Sequence, residues 1–256
     1  MLTLTTEDIK QVLTLDILKK LNVHDNNYLD FLSNADQEVL PTNFLVRAIK
    51  NKVQSYNYSD IKLQAGIWCS DYKCPISKEI FNNALKSASV GVSALNYTDK
   101  VIYCQTPLSG SQASYDYIAN GCYLNNAVIT AKILNKNIII LDLCYHAGVG
   151  AYNIFRGHTR ILPISVHINP KLDYPYYYGF NDNYYNFTFD NLTQYYDVLE
   201  KAFEVIDKHE PECLLIPFAS FDLDYKLVAQ IIRKHYSGQI IVFQEGLVDE
   251  VFLNNL

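Results

Sequence analysis

The sequence lacks a long apolar stretch and a cluster of basic residues. No apolar run approaches the roughly 20 residues that a membrane-spanning helix requires, and the first residues lack the basic and then apolar order of a signal peptide. The net charge is −6, and Lys and Arg are scattered rather than clustered as binding to a polyanion such as a nucleic acid requires. These absences predict a cytoplasmic protein that has neither a membrane nor a nucleic acid as a partner.

Closely spaced cysteine pairs are also missing. The chain has six cysteines, and none lies in a C-x-x-C pair, which is typical of zinc ribbons and redox couples. We therefore expect all six to be reduced thiols.

The length and composition are those of one ordinary globular domain. The chain has 256 residues, of which 49% are hydrophobic and 19% charged, and this is enough for one substantial core. No repeat, low-complexity tract or linker divides it. We predict a single domain over residues 1–256.

Short apolar runs alternate with helical patterns along the chain. The runs are rich in Ile, Leu and Val, as expected of strands buried on both faces, and they lie at 100–106, 137–143, 160–168, 212–219 and 239–244. Apolar spacing predicts helices at 5–20, 24–35, 81–95, 121–135, 191–209 and 223–236. The repeated β-α-β order predicts an α/β fold: a three-layer α/β/α sandwich with a mainly parallel central sheet.

Tyrosine is unusually frequent, with 21 residues, and many of them lie in the segment 173–196. One interpretation is an irregular surface loop fixed by half-buried rings. The other is an aromatic wall for a ligand.

The segment LDLCYHAGVG places three metal-binding residue types at alternate positions where a predicted strand ends. Period-two spacing turns Asp142, Cys144 and His146 toward one side, and ligands of parallel sheets bind beyond the carboxyl ends of strands. Asp222 follows another predicted strand. Thiolate, imidazole and carboxylate groups are all zinc ligands. The alternative is that Cys144 is a small buried hydrophobe and His146 a hydrogen-bonded loop residue.

Other segments extend this pattern over most of the chain. In order, they are HDNNYLDFL, LPTNFLVRAI, CSDYKCPISKEIFNNALKSASVGVSAL, GCYLNNAVITA, LDLCYHAGVG, ISVHINPKLDYPYYYG and FQEG. This collinear set resembles the arginase/deacetylase superfamily, and within it the branch of acetylpolyamine amidohydrolases and histone deacetylase-like proteins. The resemblance implies an arginase/deacetylase-like fold and zinc-dependent hydrolysis of acetylated amines.

The resemblance also implies where the zinc ligands of the family fall. They fall on Cys144, His146 and Asp222, so a potential thiolate replaces one carboxylate. Asp224 is a further acidic residue that could stand in for another group of the metal site. We expect zinc to bind weakly or not at all, because the groups that orient zinc ligands in the family are missing.

The catalytic positions of the family carry different residue types in this chain. The histidine pair of active relatives falls on Ser111 and Gln112, and neither side chain acts as a base near pH 7. The tyrosine that donates to the oxyanion falls just after Gly246, at Leu247 and Val248. Acid–base catalysis contributes about 10²–10⁴-fold and one oxyanion donor about 10²–10³-fold. The resemblance therefore predicts little or no amidohydrolase activity.

The resemblance also implies a second metal site, for a monovalent cation, which could be retained without catalytic activity. In the family, a monovalent cation is held by an Asp and a Ser that match Asp142 and Ser165, which implies potassium or sodium. The alternative is that Asp142 only accepts hydrogen bonds from Ser165 and from backbone N–H groups.

Three functions remain open. The first is a non-catalytic or nearly inactive member of the fold that binds a partner, such as a small molecule or an acetylated amine. The second is a zinc hydrolase in which Tyr115, Tyr117 or Glu245 replaces the missing groups. The third is a Cys144 nucleophile assisted by His146. The sequence indicates no oligomeric state, and we interpret His158 and His167 as structural residues.

Overall fold

The computed structural model describes residues 1–35, 61–70, 74–173, 176 and 185–256. The strands are β1 (Leu2–Leu4), β2 (Val101–Cys104), β3 (Ile138–Asp142), β4 (Ile161–Ile168), β5 (Asn186–Phe189), β6 (Cys213–Phe218) and β7 (Gln239–Gln244). The helices are α1 (Leu15–Leu21), α2 (Asn26–Ser33), α3 (Ile61–Trp68), α4 (Lys78–Ala94), α5 (Asn126–Leu134), α6 (Val149–Phe155), α7 (Tyr195–His209), α8 (Tyr225–His235) and α9 (Glu250–Asn255). Within the described part, no helix is both long and apolar enough to cross a bilayer.

The described strands form one parallel sheet of seven strands in the order β1-β2-β7-β6-β3-β4-β5. Helices cover both faces, so the fold is the predicted three-layer α/β/α sandwich. Because all strands run in one direction, their carboxyl ends share one edge. This edge, which we call the carboxyl edge, carries Asp142 directly opposite Ser165.

Each face of the sheet packs against its own set of helices. Residues of β3 alternate between the two cores: Ile138 and Ile140 belong to one cluster, and Ile139 and Leu141 belong to the other. The first cluster includes residues of α1 to α6, and the second includes residues of α7, α8 and α9. This two-sided burial explains why the central strands are continuous apolar runs instead of alternating ones.

The helix predicted at 5–20 is wrong over its first half. Only Leu15–Leu21 is α-helical, after a short 3-10 turn at Thr6–Asp8. Two serines of α4 compete for the intervening backbone, because Ser93 accepts from the N–H groups of Lys10 and Gln11, and Ser89 accepts from that of Leu13. Side-chain acceptors of this kind offer the backbone an alternative to helical hydrogen bonds.

Two other boundaries also differ from the prediction. The helix predicted at 121–135 begins at Asn126, because the side chain of Asn125 accepts from the N–H of Val128 and caps the helix. In the tyrosine-rich segment, Asn186–Phe189 is an edge strand paired with β4, not loop. Residues 174–175 and 177–184 of that segment and the segment at 40–49 lie outside the described residues.

Candidate functional site

The centre of the candidate site is Asp142, the last residue of β3. It is 3% exposed, and its Oδ1 accepts the backbone N–H of Cys144 at 3.0 Å. A small cavity beside it is lined by Asp142, Ser165, Gly148 and Asn186 among other residues, with room for about one water-sized sphere. The two residues predicted to hold a monovalent cation therefore share a small cavity at the carboxyl edge.

Two features fix the surroundings of the Asp142 carboxylate. A Cβ added to Gly148 would lie 2.2 Å from Asp142 Oδ2, so glycine allows the backbone to approach the carboxylate. The backbone N–H of Gly148 donates to Ser165 Oγ at 3.2 Å. Burial raises the pKa of Asp142 to about 6, although the N–H and thiol of Cys144 oppose the rise by hydrogen bonding. A cation in the cavity would stabilise the charged form.

Cys144 lies next to this carboxylate and is 8% exposed. Burial raises the pKa of its thiol well above the ordinary value, and the negative charges of Asp142 and Glu245 raise it further. Its hydrogen bond with Asp142 also favours the protonated thiol. These surroundings are the opposite of the electropositive ones that activate a cysteine, so they disfavour Cys144 as a nucleophile.

The other two predicted zinc ligands are more exposed. The His146 side chain is 40% exposed, and its Nε2 lies 3.8 Å from Asp173 Oδ1. Its ring contacts the edge of Tyr145 at a centroid distance of 5.0 Å. Asp222 is exposed in the turn after β6, and Asp224 caps α8 by accepting from two backbone N–H groups.

These positions do not assemble a zinc site. Among the described residues, no three His, Cys, Asp or Glu side chains form a group that could hold a metal ion. Cys144 is hydrogen-bonded to Asp142, and His146 faces Asp173. Zinc requires ligand atoms within about 2.0–2.3 Å of one point, with the thiol deprotonated. The donor set as arranged here does not fit zinc.

The loop that carries Ser111 and Gln112 is held from β7 by one carboxylate. The Ser111 N–H donates to Glu245 Oε2 at 2.9 Å, and the Gly110 N–H donates to Oε2 at 3.0 Å and to Oε1 at 3.2 Å. The hydroxyl of Ser109 donates to the Glu245 carbonyl at 2.8 Å. Glu245 therefore joins the end of β7 to this loop, which we call the 109–112 loop.

The Glu245 carboxylate is buried, although part of the residue reaches the surface. Burial raises its pKa to about 8 and the negative charge of Asp142 adds to the rise, while hydrogen bonds from Ser111 and Gly110 oppose it. The sequence suggested Glu245 only as a substitute catalytic group. Its role in holding the loop was missed, because the partners are 134 and 135 residues away along the chain.

Ser111 and Gln112 are both buried, at 5% and 7% exposure. The Gln112 amide donates to the backbone carbonyl of Ala147 at 2.7 Å, and the Ser111 side chain hydrogen-bonds to Glu245. Both positions thus connect the 109–112 loop to neighbouring segments. An amide and a hydroxyl in these contacts position backbone but cannot accept a proton from water near pH 7.

The remaining residues named from the sequence have their own contacts in the structure. Val248 is partly buried and packs against the second core cluster, while Leu247 is 85% exposed. Neither side chain can donate to an oxyanion. The Tyr115 hydroxyl lies 3.4 Å from Asn22 Oδ1, and the Tyr117 hydroxyl accepts from Asn153 at 2.9 Å.

Two histidines are buried structural residues. His24 Nδ1 donates to the Ser114 carbonyl at 2.8 Å, and its Nε2 accepts the Asn125 N–H at 3.1 Å. Burial lowers the pKa of His24 to about 4, so the ring is neutral. The ring of His167 contacts the Ile168 carbonyl at 2.8 Å and Asn186 Oδ1 at 3.3 Å, which agrees with the structural role predicted for it.

Comparison with known proteins connects the chain to one family. Residues 7–222 match the histone deacetylase domain family. Acetylpolyamine amidohydrolase 2 of Pseudomonas aeruginosa is 26% identical over 272 residues, which cover 91% of this chain and 78% of that protein. The acetylpolyamine amidohydrolases of Mycoplana ramosa and Burkholderia pseudomallei are 29% and 30% identical, and the matches span 62% of this chain and 50% of each relative.

Solved structures share the fold. The crystal structure of acetylpolyamine aminohydrolase from Burkholderia pseudomallei superposes with a TM-score of 0.76 at 22% identity, covering 93% of this chain and 82% of that one. The HD domain of HDA15 gives a TM-score of 0.66 at 17% identity, covering 96% of this chain and 72% of that one. These likenesses establish the architecture.

Proposed function

Because the chain belongs to the histone deacetylase domain family, we propose that it retains the deacetylase fold for binding, with little or no amidohydrolase activity. This membership confirms the resemblance found in the sequence. The ligand that we propose is a small molecule of the acetylated-amine type, because three matched relatives carry names that denote hydrolysis of acetylpolyamines.

The observation that supports low activity most directly is the state of the 109–112 loop. Gln112 donates to the Ala147 carbonyl, and Ser111 hydrogen-bonds to Glu245. Neither group titrates near neutral pH, so neither can exchange a proton with a water nucleophile and a leaving amine. The lack of an oxyanion donor at Val248 compounds this loss.

The test compares binding with turnover. Purified protein is incubated with N-acetylputrescine and with an acetyl-lysine peptide, with and without added zinc, and free amine is measured. We expect turnover far below the about 10 s⁻¹ that is the median for enzymes, while calorimetry detects binding of at least one ligand. Robust deacetylation that disappears in His146→Ala but persists in the surface control Lys226→Gln would refute the proposal.

We also propose that Asp142 and Ser165 hold a potassium or sodium ion. A buried carboxylate beside a hydroxyl and a cavity of about one water-sized sphere fits a monovalent cation. The ion would supply charge compensation for Asp142. Thermal stability should rise when potassium or sodium replaces tetramethylammonium at constant ionic strength, and Asp142→Asn should abolish this response. An equal response in the variant would contradict the site.

A zinc-dependent amidohydrolase acting on acetylated amines is the second candidate, and one observation favours it. Glu245 is a buried carboxyl group with a pKa of about 8, a value suited to acid–base chemistry near neutral pH. A zinc-dependent activity would require Cys144, His146 and Asp222 to move together around the metal. Stoichiometric zinc that survives dialysis against a chelator, and is lost in His146→Ala, would favour this candidate over the binding role.

A further inference from the structure

A second groove lies at the opposite edge of the sheet from the candidate site. It is formed between the loop before β4 and the last two turns of α7, it is open to solvent, and its volume is about 410 Å³. Its lining includes His158, Thr159, Leu162, Tyr185 and Lys208. We call it the amino-edge groove, because Leu162 is the second residue of β4 and lies roughly 10 Å before Ser165 along the strand.

The groove combines an apolar floor with a polar rim. Leu162 is 7% exposed and Val205 is partly buried, and both belong to or pack against the second core cluster. Tyr185 contributes an aromatic residue to the lining of the groove. The rim residues that offer donors to a ligand are His158, Thr159 and Lys208. His209 also lines the groove, but its Nε2 contacts the Arg160 carbonyl at 3.4 Å. A groove of this volume that combines apolar side chains with several polar groups can hold a small molecule that has both an apolar and a polar part.

The tautomer of His158 is fixed by the backbone. Its Nδ1 accepts the N–H groups of Arg160 at 3.3 Å and Ile161 at 3.0 Å, so a neutral ring must carry its proton on Nε2. Burial lowers the pKa of His158, and the charges of Lys132 and Arg160 lower it further. The ring therefore offers one N–H donor in a region of positive potential, and within the described residues this N–H has no hydrogen-bond partner.

The positive charge of Lys208 is not needed to satisfy the end of α7. The Asn137 amide already donates to the terminal carbonyls of His209 and Glu210, at 2.5 Å and 3.2 Å. The residues that the structure places in the groove lining include no carboxylate. Asp207 and Glu210 flank Lys208 in the sequence, but neither lines the groove, and Asp207 Oδ2 lies 3.1 Å from His235 Nδ1. Glu204, one helical turn before Lys208, is exposed outside the lining.

We propose that the amino-edge groove binds a small phosphate monoester with an apolar or ring-shaped body. The three rim residues each supply a donor, and a phosphate presents three strong acceptor oxygens and about −1.5 to −2 charges. The floor of Leu162, Val205 and Tyr185 accommodates the apolar body. Tyr185 also lines the small cavity beside Asp142, but the three rim residues do not, and the proposal does not depend on the function proposed above.

Ligand-observed NMR with phenyl phosphate tests the site in the full chain. We expect saturable binding that weakens about tenfold in Lys208→Gln and in His158→Asn, because each removes one rim donor or charge. Glu204→Gln should strengthen binding, because it removes the competing charge one turn away. Lys226→Gln, which removes an exposed lysine from α8, is the matched control and should bind as wild type does.

The comparison ligands separate the two halves of the proposal. Phenol tests the floor alone, inorganic phosphate tests the rim alone, and 3-phenylpropionate tests a carboxylate head; all three should bind more weakly than phenyl phosphate. The proposal is overturned if phenyl phosphate shows no saturable binding, if Lys208→Gln and His158→Asn both bind it as wild type does, or if inorganic phosphate binds equally well. Because Lys208 is exposed, its variant keeps the test valid even if His158→Asn unfolds.

Discussion

Replacing Glu245 with glutamine should change how stability depends on pH. Burial raises the pKa of Glu245 from 4.5 to about 8. Because the folded pKa lies above the unfolded value, the contribution to stability is fully present below pH 4.5 and is lost as the pH rises through 8. One pKa unit corresponds to about 1.4 kcal/mol, so linkage gives a loss of about 2 kcal/mol between pH 6.5 and pH 8.5.

The glutamine variant removes this titration but keeps an oxygen acceptor for the backbone N–H groups of Gly110 and Ser111. Its stability should therefore fall by much less than about 2 kcal/mol over the same interval. The free energy of unfolding of the variant should be lower than that of wild type by a constant amount at both pH values, because the amide of glutamine places an N–H near a backbone N–H. The quantity that tests the reasoning is the difference in pH dependence between the two proteins.

Urea unfolding followed by the fluorescence of Trp68 measures this difference. Trp68 is the one tryptophan of the chain and is 7% exposed in the folded state. Titrations at pH 6.5 and pH 8.5 are run at constant ionic strength without sodium or potassium. Glu250→Gln, which removes an exposed carboxylate from α9, is the control and should behave as wild type. Equal pH dependence in wild type and Glu245→Gln would refute the buried-acid interpretation.

Three further changes test other contacts by the same unfolding assay. Gly148→Ala should destabilise by about 2 kcal/mol, because its Cβ would lie 2.2 Å from Asp142 Oδ2; an unchanged midpoint would contradict this close approach. His24→Ala should cost about 3 kcal/mol, because it leaves the Asn125 N–H and the Ser114 carbonyl unpaired. Because burial lowers the pKa of His24 from 6.5 to about 4, its contribution to the stability of wild type should be lost as the pH falls from 6.5 to 4. An equal loss of stability over this pH range in His24→Ala would show that His24 is not its cause. Tyr28→Phe should cost about 1 kcal/mol by removing the hydroxyl that donates to the Tyr123 carbonyl at 2.6 Å, and a neutral effect would indicate that this bond adds nothing.

The central strands could be predicted because their sequences carry a local signal. Residues 138–141 are all apolar, and the structure buries all of Ile138–Asp142. The proximity of Asp142 and Ser165 was implied by the family resemblance, and the two residues are register partners in the sheet. Strand β1 was missed because it has three residues and exists only through pairing with β2, about 100 residues later in the sequence.

The contacts of the site could not be predicted for a related reason. The carboxylate of Glu245 and the ring of His24 each accept hydrogen bonds from backbone N–H groups that are distant in sequence. Since almost every residue type has a backbone N–H, the sequence does not indicate which residues provide these partners. The family motif indicated which positions to inspect. The motif could not indicate that Cys144 is hydrogen-bonded to Asp142 while His146 lies near Asp173.

The strand order has a consequence for the synthesis of the chain. Strands β6 and β7 lie between β3 and β2 in the sheet, yet they come after both in the sequence. Until residues 213–244 have left the ribosome, β2 and β3 therefore have no partner on their inner sides. The residues of both strands are buried in the folded protein, and all except Asp142 are apolar. Exposed strand edges of this kind promote aggregation. The nascent chain should thus depend on chaperones most while its last fifth is being translated, and slowing translation over that stretch should lower the yield of folded protein.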